Sequence, residues 1–191
     1  MELDKKQQLV EAALSLFYRH GVHAVGINQI LEHSAIAKKT LYHHFDSKDQ
    51  LLLATLELRH QRFYHWLEQQ FAAPSSASPI DKLFDALTLW FEGKSELLGP
   101  FFGCYFQHCA AEYHGPDSTV LEQCAQHKLT VKNLVKIHLE SYQLSPQSLA
   151  ALLDGLMLLK EGAISMALLH TDPTAAHSAK KQALLLLRAL D

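Results

Sequence analysis

The stretch Gly26–Leu51, GINQILEHSAIAKKTLYHHFDSKDQL, organises the rest of the chain, because its pattern predicts two short helices joined by a tight turn. The second short helix is expected over Lys38–Phe45. At 100° per residue, Leu41 and Phe45 share one face of this helix, which turns toward a core. The opposite face is polar and basic. Such a pair is typical of the helix-turn-helix arrangement, whose second helix lies in the major groove of DNA.

The residues after this pair predict the start of a longer helix. Ser47 followed by Gln50 is a capping-box pattern, in which each side chain bonds to the backbone N–H of the other residue. The unpaired N–H groups at a helix start can hold a phosphate, and Lys48 in the first turn adds a full positive charge. We expect Lys48→Ala to weaken binding to every DNA sequence alike and to lower the salt slope by about one unit.

These residues together resemble the TetR family of bacterial transcriptional regulators. The shared pattern is an aromatic residue, two variable positions, Phe, then Ser-Lys and Leu, represented here by Tyr42, His43, His44, Phe45, Ser47, Lys48 and Leu51. The resemblance is close over residues 5–55 and architectural beyond them. It implies an all-α fold, with an N-terminal three-helix helix-turn-helix DNA-binding domain joined by a long helix to a larger helical ligand-binding and dimerisation domain. The expected domains are residues 1–47, with the family-type domain extending to about 60, and residues 48–191.

The chain departs from the commonest family pattern around the turn. Ala35 stands where a Gly is usual, and Ala37 stands where a Ser cap is usual. Val25 and Gly26 stand where two Thr or Ser residues often open the first helix of the pair. Losing a side-chain cap costs about 1 kcal/mol, which tertiary packing can offset.

The outward face of the second short helix supplies the candidate DNA contacts. Lys39 and His43 are expected to read base edges, because lysine reaches guanine O6 and N7 and histidine donates or accepts according to its tautomer. The expected phosphate partners, which position the protein without specifying a sequence, are Lys38, Thr40, Tyr42 and Lys48. His44 completes the set, although its place nearer the buried side also suits packing. A solvated helix face is the alternative for the whole set.

Charge gives this interpretation little support. The chain has a formal net charge of −3, and residues 1–50 hold six basic and six acidic side chains. A basic surface must therefore come from the placement of Lys38, Lys39 and Lys48 and from any protonated histidines.

Composition predicts a globular chain of one or two domains, since it has 191 residues of which 48% are apolar. No apolar run approaches the roughly 20 residues that a membrane span needs. The first residues, MELDKKQQ, lack the apolar core of a signal peptide. Three cysteines without zinc-type spacing indicate a reducing compartment. We therefore expect a cytoplasmic protein with no membrane partner and no cofactor.

Apolar periodicity and capping residues predict a chain of helices. The expected spans are residues 5–19, 27–33, 38–45, 48–71, 79–91, 103–113, 117–142 and 146–169, followed by a last helix capped at Asp172-Pro173 and ending near Leu190. Asp4 is the expected cap of the first helix and Gly21 its expected end. The last two helices are apolar on almost every side, so we expect them to form a four-helix dimer interface about a two-fold axis, as the resemblance also implies. Two core helices of a monomer are the alternative.

Aromatic residues mixed with a few polar ones describe a small-molecule pocket. The candidate ligand-binding residues are Phe63, Trp66, Trp90, Phe102, Tyr105, His108 and Glu112. Trp90, Tyr105 and His108 stand out because each carries a polar atom that needs a partner if buried. The resemblance implies an inducer pocket in this part of the chain. Ordinary core packing is the alternative for each aromatic residue.

Two other kinds of site remain open for the same region. His108, Cys109, Glu112 and His114 could be metal ligands, although a structural site wants four ligands with clear spacing. Cys104, Cys109 or Cys124 could be a redox-active thiol, which requires an exposed cysteine of low pKa. Buried cysteine acting as a small hydrophobic residue is the alternative.

These features predict a ligand-responsive DNA-binding transcriptional regulator. We expect a repressor that binds a pseudo-palindromic operator in double-stranded DNA as a homodimer and is released by an unidentified small-molecule effector. No enzyme activity is expected, because the chain shows no Gly-rich phosphate loop, nucleophile elbow or usefully spaced carboxylate pair. The alternative is a helical enzyme or ligand-binding protein that has lost DNA binding, which the neutral charge of residues 1–50 favours.

Overall fold

A computed structural model describes residues 4–113, 115 and 118–190 of the chain. Within these residues all regular structure is helical, which confirms the predicted all-α fold. The helices are α1 (Lys5–His20), α2 (Ile27–Ser34), α3 (Lys38–His44), α4 (Lys48–Ala72), α5 (Pro79–Phe91), α6 (Tyr105–Glu112), α7 (Thr119–Leu139), α8 (Pro146–His170) and α9 (Ala175–Leu190), with a 3₁₀ turn at Glu140–Tyr142. None of the helices in this part of the chain is both long and apolar enough to cross a bilayer.

The starts of α6 and α9 differ from the sequence-based prediction. The helix α6 begins at Tyr105 and not at Gly103, which has a positive φ of 87°. The predicted start of α7 at Asp117 lies outside the described residues. The last helix begins at Ala175, because the Asp172 side chain binds the N–H and hydroxyl of Thr174 at 2.8 and 2.7 Å and forms a turn ahead of the helix.

The predicted capping residues divide into those that cap and those that do not. Ser78 accepts a hydrogen bond from the Asp81 N–H at 3.2 Å, so it caps α5. Gly21 ends α1 with a positive φ of 86°. Asp4 was predicted to cap α1, but its side chain makes no capping bond, and its backbone carbonyl alone accepts from Gln8 at 2.9 Å. The sequence pattern does not distinguish these cases, since each cap depends on the rotamer that its surroundings allow.

The chain folds into two compact units. The first unit comprises Met1–Gln61 and Tyr105–His127, and the second comprises Arg62–Cys104 and Lys128–Asp191. This grouping differs from the predicted boundary after residue 47, because α6 and the first part of α7 join the unit that contains the helix-turn-helix. Contacts between residues far apart in sequence, such as those of Glu112 with Val22 and His23, cause the difference.

The first unit has a core built from one face of each short helix. Leu9 and Phe17 of α1, Ile30 of α2 and Leu41 of α3 are fully buried. Ile27 and Leu31 of α2 are half-buried beside this core. These apolar contacts fix the α2–α3 pair against α1, so the outer face of α3 is presented by a packed scaffold.

The second unit packs α5 against α8 and α9. Ile80, Leu83, Phe84 and Leu87 of α5 are buried, together with Leu152 and Leu156 of α8 and Ala176 and Ala183 of α9. The helices α8 and α9 approach closely at Gly155, where an added Cβ would lie 2.3 Å from Leu186 Cδ2. The absence of a side chain at Gly155 therefore leaves room for the Leu186 side chain.

Candidate nucleic-acid interface

The turn between α2 and α3 positions the proposed recognition helix. The Gly26 N–H donates to Gln29 Oε1 at 2.7 Å and starts α2. Ala35 ends α2 in the left-handed conformation, with φ 54° and ψ 29°. Ala37 then precedes α3 in an extended conformation without a side-chain capping bond. Ala35 therefore occupies a left-handed position, for which glycine is suited. Ala37 occupies an N-cap position, for which serine is suited.

One face of α3 is buried and the other is open to solvent. Leu41 is 0% and Phe45 4% exposed, as the helical spacing predicted. Lys39 and His43 are exposed on the other side of the helix. Their side chains are therefore free of core packing and oriented for contact with a partner.

The remaining predicted contacts of α3 flank this outer face. The Tyr42 ring is 46% exposed, and Lys38 Nζ lies 5.9 Å from its centroid. Thr40 and His44 are half-buried, and the His44 ring lies 5.1 Å from that of His43. His44 also packs 6.5 Å from the Phe45 ring, so it bridges the outer face and the core.

Lys48 has a partner inside the first unit. Its Nζ donates to the Val22 carbonyl at 2.6 Å and lies 5.6 Å from the centroid of the Phe17 ring. Burial lowers the pKa of Lys48, although the nearby Glu112 and Asp49 carboxylates oppose that shift. The ammonium is thus tied to the α1–α2 loop, and its role toward DNA phosphate stays a prediction. Sequence reasoning missed this bond because it joins residues 26 positions apart.

The start of α4 keeps half of the predicted capping box. The Gln50 N–H donates to Ser47 Oγ at 3.1 Å, as the pattern requires. The return bond goes elsewhere, because Gln50 Oε1 accepts from the Asp46 N–H at 3.0 Å and not from Ser47. The Gln50 side chain therefore bonds to the N–H of Asp46, one residue before the predicted partner Ser47.

Three of the predicted ligand-binding residues lie on α6 in the first unit. Tyr105 is fully buried, and its hydroxyl is 2.7 Å from Thr55 Oγ1. Burial raises the pKa of Tyr105 well above its ordinary value and lowers the pKa of the half-buried His108. Glu112 Oε1 accepts from the Val22 N–H at 2.8 Å, and Oε2 accepts from the His23 N–H at 2.6 Å. Because both carboxylate oxygens are occupied by the α1–α2 loop, we remove Glu112 from the ligand-binding set.

The other four predicted ligand-binding residues lie in the second unit. Phe63, Trp66 and Trp90 are buried, and their ring centroids are 5.4 to 6.4 Å apart in tilted and edge-to-face arrangements. Phe101 packs perpendicular to Trp90 at 5.0 Å, whereas Phe102 is half-buried. The rings of Phe63, Trp66, Trp90 and Phe101 form one aromatic cluster, which has the apolar chemistry of a ligand site and equally that of a core.

A buried ionic cluster in the second unit was not found from the sequence. Lys160 is 3% exposed, and its ammonium donates to Glu161 Oε1. Lys128 Nζ donates to the other oxygen of Glu161 at 2.6 Å and to Cys104 Sγ at 3.3 Å. Burial lowers the pKa of Lys160, and the neighbouring Lys128 charge lowers it further. The adjacent Lys160 and Glu161 on a largely apolar helix were the available signal, since such charges must find partners when buried.

The structure also bears on the two alternative sites, a redox-active thiol and a metal site. Cys104, Cys109 and Cys124 are all buried and form no disulfide. Among the described residues, no three His, Cys, Asp or Glu side chains gather as a set that could hold a metal ion. His114, the fourth member of the candidate ligand group, lies outside that part of the chain.

Comparison with known proteins connects this geometry to a family. A family model described as bacterial regulatory proteins, tetR family, matches residues 9–55, which contain α2, α3 and the start of α4. The transcriptional regulator BetI of Yersinia pestis is 26% identical over 163 residues, covering 83% of this chain and 81% of that protein. A TetR-family transcriptional regulator from Streptomyces coelicolor has a similar crystal structure, with a TM-score of 0.81 and 25% identity over 98% of this chain and 90% of that chain.

Residues 9–55 carry a DNA-binding domain of the TetR family. The chain is a DNA-binding transcriptional regulator of the helix-turn-helix type. The transcriptional activator FasR of Mycolicibacterium smegmatis is 40% identical over 54 residues, which cover 28% of this chain and 25% of that protein. All three of these relatives are described as transcriptional regulators.

Proposed function

We propose that this TetR-family regulator is a cytoplasmic homodimeric repressor that binds a pseudo-palindromic operator and leaves it when a small-molecule effector binds. The outward face of α3 is the observation that carries the proposal. Leu41 and Phe45 anchor the helix in the core, while Lys39 and His43 remain exposed on the opposite side. A short helix anchored in this way can enter a major groove without losing its packing.

The proposed division of labour on α3 follows from side-chain chemistry. Lys39 donates to guanine O6 and N7, and His43 reads a neighbouring base edge. Lys38, Thr40 and Tyr42 contact phosphates and set the position of the helix on the duplex. The Lys38 ammonium above the Tyr42 ring would approach the backbone together with the phenol hydroxyl.

The proposed dimer is formed by the outer faces of α8 and α9. Leu158 is 75% exposed, Leu169 73% and Leu185 55%, which is unusual for leucines placed on two neighbouring helices. A groove of about 410 Å³ runs between the two helices beside Leu158, Met166 and Gln182. Exposed apolar side chains beside such a groove favour an interaction site, which a second copy would cover with an equivalent surface.

The proposed effector site is the aromatic cluster of the second unit. Phe63, Trp66 and Trp90 provide apolar walls for an organic ligand. An effector acts by binding more tightly to the form with low DNA affinity, so its effect is limited by that difference.

A DNA-binding titration tests the proposal. Fluorescence anisotropy with duplexes covering the DNA that flanks the coding region should identify one pseudo-palindromic site. Lys39→Ala should then weaken operator binding by about 1–3 kcal/mol and leave nonspecific binding nearly unchanged. The control is Lys94→Ala, an exposed lysine of the second unit paired with Glu92 at 2.8 Å. Equal operator affinity of the Lys39 and Lys94 variants would contradict the proposed role of α3.

The effector is tested with the tryptophans of the chain. Both of them, Trp66 and Trp90, lie in the aromatic cluster, so their fluorescence reports on it directly. Compounds that change this fluorescence should release the operator in the anisotropy assay. A reporter gene behind the operator distinguishes repression from activation, because deletion of a repressor raises expression and deletion of an activator lowers it.

A further inference from the structure

The carboxylate of Glu112 holds the loop between α1 and α2. Its Oε1 accepts from the Val22 N–H at 2.8 Å, and its Oε2 accepts from the His23 N–H at 2.6 Å. The same Oε2 lies 3.3 Å from Nδ1 of His23. These bonds join positions 90 and 89 residues apart in the chain, so they determine tertiary structure and not a local turn.

The Val22 peptide is held from both sides. Glu112 of α6 accepts from its N–H, and Lys48 of α4 donates to its carbonyl at 2.6 Å. Opposite charges thus bind the two ends of the residue, and hydrogen bonds to charged groups are stronger than neutral ones. Val22 itself is 1% exposed, so its side chain is anchored in the core as well.

The residue after Glu112 extends the same contact. The Tyr113 hydroxyl donates to Asp49 Oδ1 at 2.9 Å, which ties the end of α6 to the first turn of α4. The Tyr113 ring also stacks on His23, with centroids 5.0 Å apart and an interplanar angle of 25°. The end of α6 therefore contacts the α1–α2 loop and the start of α4 at once.

The close approach of the carboxylate explains one glycine. Gly21 has a φ of 86°, and a Cβ at this position would lie 3.2 Å from Glu112 Oε1. A side chain here would face backbone strain and crowding of the carboxylate together. The loop is thus shaped to receive Glu112.

We propose that Glu112 is a positioning residue for DNA binding. It fixes the α1–α2 loop to α6, and the α2 helix of the helix-turn-helix begins only four residues after His23. The α6 helix begins at Tyr105, directly after the segment of the second unit that ends at Cys104. The bonds from Glu112 therefore connect the α1–α2 loop to α6 within the first unit.

The direction of the change in DNA affinity distinguishes this positioning role from a simple effect of charge. Removing a carboxylate from the unit that binds DNA reduces repulsion from the phosphates, so charge alone predicts tighter binding. Loss of the Glu112 bonds predicts weaker binding, because the helix-turn-helix is then less well ordered for the duplex. The two expectations are opposite for the same substitution.

Glu112→Gln is the main test, and Glu32→Gln is its matched control. Glu32 is an exposed residue of α2, so its substitution removes the same charge from the same unit. Relative to Glu32→Gln, Glu112→Gln should weaken operator binding on the order of tenfold, about the value of one charged hydrogen bond. The slope of affinity against salt should match that of the control, because Glu112 contacts no phosphate. Both titrations are run well below the melting temperature of each variant.

Amide signals give an independent measure of the same bonds. In NMR spectra of the full chain without DNA, the Val22 and His23 amide protons should lie downfield in the wild type and move upfield in Glu112→Gln. Their hydrogen exchange should also become faster than that of amides in the middle of α1. Unchanged signals, or operator binding by Glu112→Gln as tight as that of the control, would overturn the proposal.

A second variant covers the case in which Glu112→Gln does not fold. Glu112→Asp keeps the charge and shortens the side chain by one methylene group, so it cannot keep both bonds to the loop. It should bind the operator more weakly than Glu32→Asp, and equal affinities would overturn the proposal.

Discussion

The backbone conformation of Ala35 is unfavourable for a residue that carries a Cβ. Ala35 has φ 54° and ψ 29°, a left-handed conformation in which a Cβ crowds the following carbonyl. The cost is about 1–2 kcal/mol for a residue other than glycine. The turn of the helix-turn-helix is therefore strained at the position where its family commonly has glycine.

We predict that Ala35→Gly stabilises the protein by about 0.5 kcal/mol or more, because relief of strain exceeds the added entropy of the unfolded chain. Urea unfolding followed by circular dichroism measures the change. The matched control is Ala54→Gly in the middle of α4, which should destabilise by about 1 kcal/mol. Equal effects of the two substitutions would show that the turn is not strained.

The pKa of Glu161 is controlled by two neighbouring lysines. Burial opposes its ionisation, but the Lys160 and Lys128 ammonium groups outweigh burial and lower the pKa of Glu161. Removing the carboxylate would leave two neighbouring cations, one of which is 3% exposed. A buried charge that loses its partner is strongly destabilising.

We predict that Glu161→Gln destabilises the protein by about 3 kcal/mol at neutral pH. The surface variant Asp154→Asn, which breaks an exposed pair with Lys132, should cost less than about 1 kcal/mol. Since the folded pKa of Glu161 is lowered, its stabilising effect is present above the ordinary carboxyl pKa and lost as pH falls through the folded value. Unfolding curves from pH 7 to pH 3 should therefore converge for wild type and Glu161→Gln, and parallel curves would contradict this account.

At the scale of the element, α8 and α9 pack against each other at Gly155 and Leu186. Gly155 faces Leu186 so closely that an added methyl group would lie 2.3 Å from Leu186 Cδ2. Glycine within a helix costs about 1 kcal/mol relative to alanine. The close approach of the two helices thus opposes the intrinsic preference of α8 for alanine at this position.

We predict that Gly155→Ala shows strong coupling to Leu186→Ala in a double-mutant cycle. In the wild-type background the gain in helix propensity is offset by the clash, whereas in the Leu186→Ala background Gly155→Ala should stabilise by about 1 kcal/mol. Chemical unfolding of the four proteins gives the coupling energy. Additive effects would mean that Leu186 moves aside at no cost.

At the scale of the whole molecule, the exposed apolar residues of α8 and α9 favour association with a second copy of the chain. Leu158 and Leu169 are about three-quarters exposed. Apolar side chains on this face would be covered by the same face of a second copy.

We predict that Leu158→Glu combined with Leu169→Glu converts the protein to monomers. Sedimentation should give the single-chain mass of 21.5 kDa for this variant and about twice that mass for the wild type. Leu129→Glu is the control, because Leu129 is 50% exposed on α7 and lies outside the proposed interface. A wild-type monomer, or a variant that remains dimeric, would exclude this interface.

Local patterns in the sequence determined the order of the helices and the orientation of α3. Helical periodicity compares residues three or four positions apart, and contacts at that spacing lie within one helix. The burial of Leu41 and Phe45 and the exposure of Lys39 and His43 were therefore readable before any coordinates. The same holds for the apolar character of α8 and α9.

Tertiary structure alone decided the partners of Lys48 and Glu112. Their bonds to Val22 join residues 26 and 90 positions apart, and no periodic pattern in the chain relates such distant positions. The grouping of α6 with the helix-turn-helix depends on the same contacts. A charged side chain makes its strongest bonds with whichever groups the fold brings to it, so its role becomes visible only when the chain has folded.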